Sequence, residues 1–258
     1  MGTPDAGTRR GGERVVERVR GRFGTTEVVE ATWDDGRPVR LLVVDGTLQS
    51  AAYADEGWCD PVFDYYVLFD LAFEACPGAR DLLMLGGGGL GYPRHLLAER
   101  PEVSLDVVEA DPAVIRLARR HFYLDRLLRE RGRAHLPGPR VVCADALGFL
   151  EGTRRRYDAI LCDCFAAGEA PSELAGPEAA ALYLDHLAPG GAFLANVVSA
   201  VEGPRARPLL GLAGALASAG FARVFAVGVM PGREAEEDNV MLLATASGRD
   251  LPWARRIA

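Results

Sequence analysis

The chain has 258 residues, 49% of them hydrophobic, and a formal net charge of −7. A chain that long and that apolar can bury a substantial core, which excludes wholesale disorder. Its acidic balance speaks against nucleic acid as a partner, because phosphate-backbone binding draws its affinity from clustered Lys and Arg.

The stretch Met1–Gly12 carries Arg9 and Arg10 but no apolar run behind them, so it reads as no secretion signal, and residues 1–13 are expected to be disordered. No apolar segment reaches membrane-spanning length without a charge or a Gly/Pro break, so no membrane partner is expected. The five cysteines Cys59, Cys76, Cys143, Cys162 and Cys164 form no CxxC pair and have no histidines at ligand spacing. Reduced thiols, no metal and a cytoplasmic location are the expectations. The basic runs Arg126–Arg133 and Arg154–Arg156 read as solvated faces.

From Val15 to Tyr53 the pattern is one of β-branched runs. Glu27–Trp33 and Val39–Val44 are separated by the turn Asp34-Asp35-Gly36-Arg37-Pro38, and Asp45-Gly46 leads into Thr47–Ser50. Residues 14–60 are therefore predicted to form a small antiparallel β domain. Phe63–Cys76 is apolar at helical spacing and stopped by Pro77-Gly78, which predicts a helix opening a second domain over residues 61–258.

In that domain strand and helix patterns alternate, the mark of a parallel sheet with crossover helices. Strands are predicted at Asp81–Leu85, Leu105–Glu109, Arg140–Cys143, Ala159–Asp163, Gly191–Val197, Arg223–Val229 and Val240–Ala244. Helices are predicted at Tyr92–Glu99, Pro112–Phe122, Ala146–Glu151, Pro177–His186 and Pro208–Ala219. The last two strands have no helix between them and should pair antiparallel.

Gly86, Gly87, Gly88, Gly89 and Gly91 sit between the first of these strands and its helix, where bare backbone lets a ligand approach the helix N-terminus. The next strand ends in Glu109, placed to accept from two ribose hydroxyls. Asp145, followed by Ala146, ends the third strand, where a carboxylate can accept from an adenine amino group. That acid favours an adenosyl cofactor over a dinucleotide; the competing use of Asp145 is as an N-cap. Asp111-Pro112 reads as an N-cap with Pro at the first helical position.

The series Val43–Ser50, Gly86-Gly87-Gly88, Val108–Pro112, Cys143–Ala146, Tyr157–Asp163 and Leu187–Gly191 resembles the spermidine synthase family over about Arg20–Ala246. The resemblance implies a Rossmann-like α/β domain of the class I methyltransferase fold behind a small N-terminal antiparallel β domain. Its large sheet would be mostly parallel and seven-stranded, with an antiparallel last strand. The implied activity is alkyl transfer from S-adenosylmethionine or decarboxylated S-adenosylmethionine to a small-molecule acceptor, with no metal. It further implies Gln49 near the nucleoside, Glu109 on the ribose, Asp145 on the adenine and Asp163 as catalytic base. Tyr65, Tyr66 and Phe165 would face the acceptor beneath a gate loop running from Asp163 to Leu174, with burial in the core as the competing use of the two tyrosines. A homodimer is the arrangement that family analogy and the free strand edges suggest.

Three polar positions of the family pattern differ. Gly89 stands where an acid normally holds the donor's ammonium, Phe165-Ala166 where a second acid follows, and Tyr65-Tyr66-Val67 where a Tyr-His-Glu or Tyr-Gln-Glu segment occurs. A bare ammonium needs a buried counter-charge, whereas intact S-adenosylmethionine brings its own carboxylate. The leading expectation is therefore a transferase using intact S-adenosylmethionine, with displacement at a sulfur-bound carbon by a small nucleophile such as an amine. The alternatives are a true polyamine aminopropyltransferase, cyclisation of the donor with release of methylthioadenosine, and a non-catalytic nucleoside-binding protein.

Overall fold

A computed structural model describes residues 12–165, 172–229 and 232–258, with the side chains of Phe165 and Ser172 outside that description. The expected disorder of the first residues and the central part of the expected gate loop thus lie outside the described residues.

Strands β1 (Arg14–Gly21), β2 (Gly24–Thr32), β3 (Pro38–Val44) and β4 (Thr47–Tyr53) form an antiparallel meander in that order. Asp45 and Gly46 both take positive φ, 45° and 82°, the backbone a two-residue hairpin turn of matching twist requires. The edge strand β1 has no counterpart among the predicted runs. Its valines are interleaved with charges that pair across the ladder, Arg14 with Glu30 and Arg18 with Glu27. In β4 the partner of Leu42 is Ser50 and that of Val43 is Leu48, so Gln49 is the extra residue of a bulge.

Asp64–Asp70 winds as a 3₁₀ helix and only Leu71–Ala75 (α1) is α-helical, correcting the single helix expected over Phe63–Cys76. Aromatic packing decides the local winding. Tyr65, Tyr66 and Phe69 are all buried, with the Tyr65 and Tyr66 rings 4.7 Å apart in an edge-on contact.

The second sheet alternates as expected: β5 (Asp81–Leu85), α2 (Gly91–Glu99), β6 (Ser104–Glu109), α3 (Pro112–His121), α4 (Leu124–Arg133), β7 (Arg140–Cys143), α5 (Ala146–Gly152), β8 (Tyr157–Phe165), α6 (Pro177–Asp185), β9 (Leu187–Ser199), α7 (Arg207–Ala219), β10 (Arg223–Gly228), β11 (Asp238–Thr245) and β12 (Arg255–Arg256). The strand order is β12-β10-β11-β9-β8-β5-β6-β7, with β5 to β9 parallel and β11 antiparallel between β9 and β10. This is the expected Rossmann-like, methyltransferase-type sheet, lengthened at one edge by the short β12.

Helix α4, which the predicted helices lack, keeps Arg129 and Arg133 exposed as the solvated-face reading expects and departs from that reading at Arg131. Leu124 and Leu127 are buried, and Arg131, only 4% exposed, donates to the carbonyls of Leu97 and Pro101 at 2.8 Å each. Carbonyls at the end of α2 and in the turn after it need donors, and the guanidinium supplies several from one side chain. No described helix is long and apolar enough to cross a membrane.

The two sheets are joined through α3, whose Val114 and Leu117 pack with Val28, Leu42 and Ala52 of the small sheet. Asp111 caps α3 as predicted, its Oδ1 accepting from Ala113 N at 2.7 Å while Oδ2 accepts from Arg22 N at 2.6 Å. Deeper in β6, Asp106 is 2% exposed and accepts from the buried Tyr157 hydroxyl at 2.8 Å, from Arg140 Nε at 2.9 Å and from Arg155 at 3.0 Å.

Replacing Asp106 leaves both arginines free to reach water but orphans the Tyr157 hydroxyl. Asp106→Ala is expected to cost about 1–3 kcal/mol in urea unfolding. The loss should shrink in a Tyr157→Phe background, a coupling that a double-mutant cycle reads directly.

Candidate active site

Parallel strands deliver their carboxyl ends to one edge of a sheet, and the expected site residues gather at that edge. The chain leaves β5 through Gly86, whose φ is +85°. A Cβ there would lie 2.7 Å from the Asp163 carbonyl oxygen, so the turn can approach β8 only without a side chain. At Gly91 a Cβ would meet the Tyr66 ring at 2.3 Å. The turn is thus wedged between β8 and the aromatic segment, and Leu90 at its end is held at φ 59° while buried.

Glu109 closes over this turn. Its Oε2 accepts from Gly88 N at 2.8 Å and from Gly87 N at 3.2 Å, and its Oε1 accepts from Asp111 N at 2.9 Å. Burial pushes its carboxyl above the ordinary range, and the three backbone donors pull against that rise.

Asp145 is exposed, and its Oδ1 accepts from Leu147 N at 3.1 Å and Gly148 N at 3.3 Å. The N-cap use weighed from the sequence is therefore the one present in the protein, and the buried Ala146 begins the capped helix. Both bonds fall on a single oxygen. Gln49 sits half-buried in the β4 bulge, next to Ser50, which approaches the turn at Gly88 and Gly89.

Asp163 lies where the β8–β9 ladder loses its register, between Cys162 and Phe165. Such irregularities re-aim a side chain, and here both carboxylate oxygens meet neutral donors. Tyr65 donates to Oδ2 at 3.1 Å and Asn196 Nδ2 donates to Oδ1 at 3.0 Å. Burial raises the Asp163 carboxyl to about 6, against the lowering effect of those two bonds. The Tyr66 hydroxyl sits 3.2 Å from Ser50 Oγ, and burial pushes its pKa up to about 12. Cys162 is core, whereas Cys164 Sγ lies 3.0 Å from the position of a Gly86 Cβ, against the turn. The Phe165 side chain and most of the expected gate lie outside the described residues.

Gly86, Gly87, Gly88, Gly91, Glu109, Asp163, Tyr65 and Tyr66 are thus brought together, with Gln49 beside them and Asp145 at the next strand tip. Sequence reasoning missed Asn196 and Arg94. Asn196 could have been noticed as an amide inside the otherwise apolar run Ala192–Val198 of a buried strand. Arg94 carried no such signal. It follows Gly91-Tyr92-Pro93 in the first turns of a helix, a position where arginine usually faces water. A separate cavity of about 340 Å³ lies beyond the ends of β9 and β10, walled by Glu202, Glu234, Glu236, Asp238 and Trp253.

No protein-family model matches the chain. It is 30% identical over 203 residues to the polyamine aminopropyltransferase of Aeropyrum pernix, a match covering 76% of this chain and 59% of that protein. The chain spans about half the length of the curated relatives it matches. Among solved structures, a probable spermidine synthase from Corynebacterium glutamicum superposes with a TM-score of 0.73 at 20% identity, over 90% of this chain and 80% of that one. A spermidine synthase in complex with the transition-state analogue AdoDATO gives 0.68 at 18%, over 90% and 74%. At those identities the likeness is one of fold.

The raised Asp163 carboxyl is harder to ionise in the folded chain than in the unfolded one. Its burial therefore penalises folding fully above pH about 6, and the penalty fades as pH falls toward 3.8. Asp163→Asn is expected to stabilise the protein at pH 7 by on the order of 1–3 kcal/mol, with the gain lost near pH 4, as followed by urea midpoints across pH. Asn196→Leu removes a donor to the charged form. It should move the Asp163 titration above about 6, which carboxyl carbon-13 shifts would show.

Proposed function

We propose, for this divergent spermidine synthase-like family member, that it is a transferase acting on an S-adenosyl sulfonium nucleoside. The observation that carries this reading is Asp163, a desolvated carboxylate with a pKa near 6, held by Tyr65 and Asn196 against the glycine turn.

A sulfonium sulfur makes each attached carbon open to displacement, so the work left to the protein is alignment of a nucleophile and exclusion of water. An alkylamine with a lysine-like pKa near 10.4 is protonated at neutral pH, and freeing it costs roughly 4 kcal/mol. Asp163 is mostly ionised at pH 7 yet more basic than an ordinary carboxylate, and it can take that proton ahead of attack, freeing the lone pair that forms the new bond. Nitrogen bonds to carbon, the carbon–sulfur bond breaks, and the electron pair stays on sulfur as a neutral thioether. Tyr65 and Asn196 fix the carboxylate. Tyr65, Tyr66 and Phe165 would flank a small-molecule acceptor.

In this reading the nucleoside lies over Gly86, Gly87, Gly88 and Gly91. Glu109 already uses three of roughly four acceptor directions on backbone amides. A ribose hydroxyl would take the direction left on Oε1, and a second would replace a turn amide on Oε2. Asp145 would offer the adenine amine its oxygen that does not cap α5, with Gln49 near the same nucleoside.

Intact S-adenosylmethionine is the donor we favour, because Gly89 supplies no counter-charge to a lone ammonium. Decarboxylated S-adenosylmethionine is the second reading, supported by the polyamine aminopropyltransferase relative and the AdoDATO-bound neighbour.

Product analysis distinguishes the routes. Methylthioadenosine marks transfer of the larger alkyl group or cyclisation, and S-adenosylhomocysteine marks methyl transfer. Asp163→Asn should keep nucleoside binding and lose about 10²–10⁴-fold in turnover, with wild-type kcat/KM rising through pH 6 to a plateau. Full turnover by Asp163→Asn would refute the base assignment.

A further inference from the structure

Beneath the glycine turn lies a cation that no described acid balances. Arg94 on α2 is fully buried. Its guanidinium is held by four carbonyls: Nε donates to Trp58 O at 3.0 Å, one terminal nitrogen to Gly89 O at 2.5 Å and Phe122 O at 3.2 Å, the other to Ala51 O at 3.1 Å. All four acceptors are neutral. The ionisable groups that act on it are Tyr66, Cys59 and Tyr123, none of them a carboxyl, and burial lowers Arg94 only to about 10. It therefore stays charged at pH 7, and its field reaches the Tyr66 hydroxyl at the site wall.

The same corner is tight, so an added side chain would require Ser50 or the Phe122 ring to shift. A Cβ on Gly89 would lie 2.9 Å from Ser50 Oγ and 3.0 Å from the Phe122 ring. An uncompensated buried cation disfavours a second cation beside it and favours an anion, by an amount that grows as water is excluded.

We propose that Arg94, acting through the Gly89 corner, is the residue that sets the charge preference of the donor site, selecting an alkyl chain that ends in an α-amino acid over one that ends in a bare ammonium. The proposal rests on the reading of this turn as an S-adenosyl site. Arg94 is a positioning and specificity residue here: it touches the turn, not the ligand. The preference it confers is on the order of ten-fold in relative affinity for a charge several Å away in a partly screened site.

Calorimetry with S-adenosylmethionine, decarboxylated S-adenosylmethionine and methylthioadenosine on the full chain tests this. The wild-type protein should bind S-adenosylmethionine at least ten-fold tighter than its decarboxylated form. Gly89→Ala, which adds the Cβ alone, should keep that ratio, and Gly89→Asp, which adds the balancing charge, should reduce or invert it. Arg94→Gln should bring the ratio toward one wherever the variant folds. Methylthioadenosine carries no charged tail and reports the nucleoside site itself. If it binds while the two donors are not discriminated, or while Gly89→Asp leaves the ratio unchanged, the proposal is overturned and the nucleoside reading stands. If methylthioadenosine does not bind, the nucleoside reading fails and the proposal falls with it.

Discussion

The turn after β5 can exist only because it carries no side chains where it touches its neighbours. One end lies against the backbone of Asp163 and the other against the ring of Tyr66, distances at which any Cβ would force one of the two elements away. That wedge fixes the aromatic segment relative to β8, and so places the Tyr65 hydroxyl on the Asp163 carboxylate. It also turns the amides of Gly87 and Gly88 toward Glu109. Remove the wedge and three polar groups on three different elements lose their common reference.

The two acids that meet at this turn are treated differently. Glu109 is satisfied by backbone N–H groups, which stabilise a charge without titrating. Asp163 faces one phenol and one amide, and although burial raises both acids, here it takes the carboxyl to about 6. The first arrangement suits an acid that must remain an acceptor. The second suits one whose proton affinity lies close to neutral pH. Asn196 adds a further strain, because its Oδ1 is buried without a partner while Nδ2 serves the carboxylate.

Much of this was legible in the sequence where a residue's position implies its surroundings. Strand tips of a parallel sheet point to one edge, so Glu109 and Asp163 could be placed from periodicity, and Asp45-Gly46 announced its own turn. What escaped were residues whose role depends on distant segments. Arg94 draws its four carbonyls from residues 51, 58, 89 and 122, and no local pattern foretells that. Arg131 looked like solvent-facing charge for the same reason. The 3₁₀ winding of Asp64–Asp70 was hidden because aromatic packing, a tertiary matter, overrode helical spacing. With Asp145 the cap was foreseen as the lesser use, yet local backbone donors reach it first.

The carboxylate of Asp111 links more than a helix start. One oxygen caps α3, the other grips the hairpin at Arg22, and its own N–H is bonded to Glu109. A rocking of the small sheet would pull on that hinge-pin and be felt two residues away by the acid over the glycine turn. The N-terminal meander is thereby geared to the floor of the cleft, and the Asp111 side chain joins the packing of α3 in carrying inward what presses on its outer face.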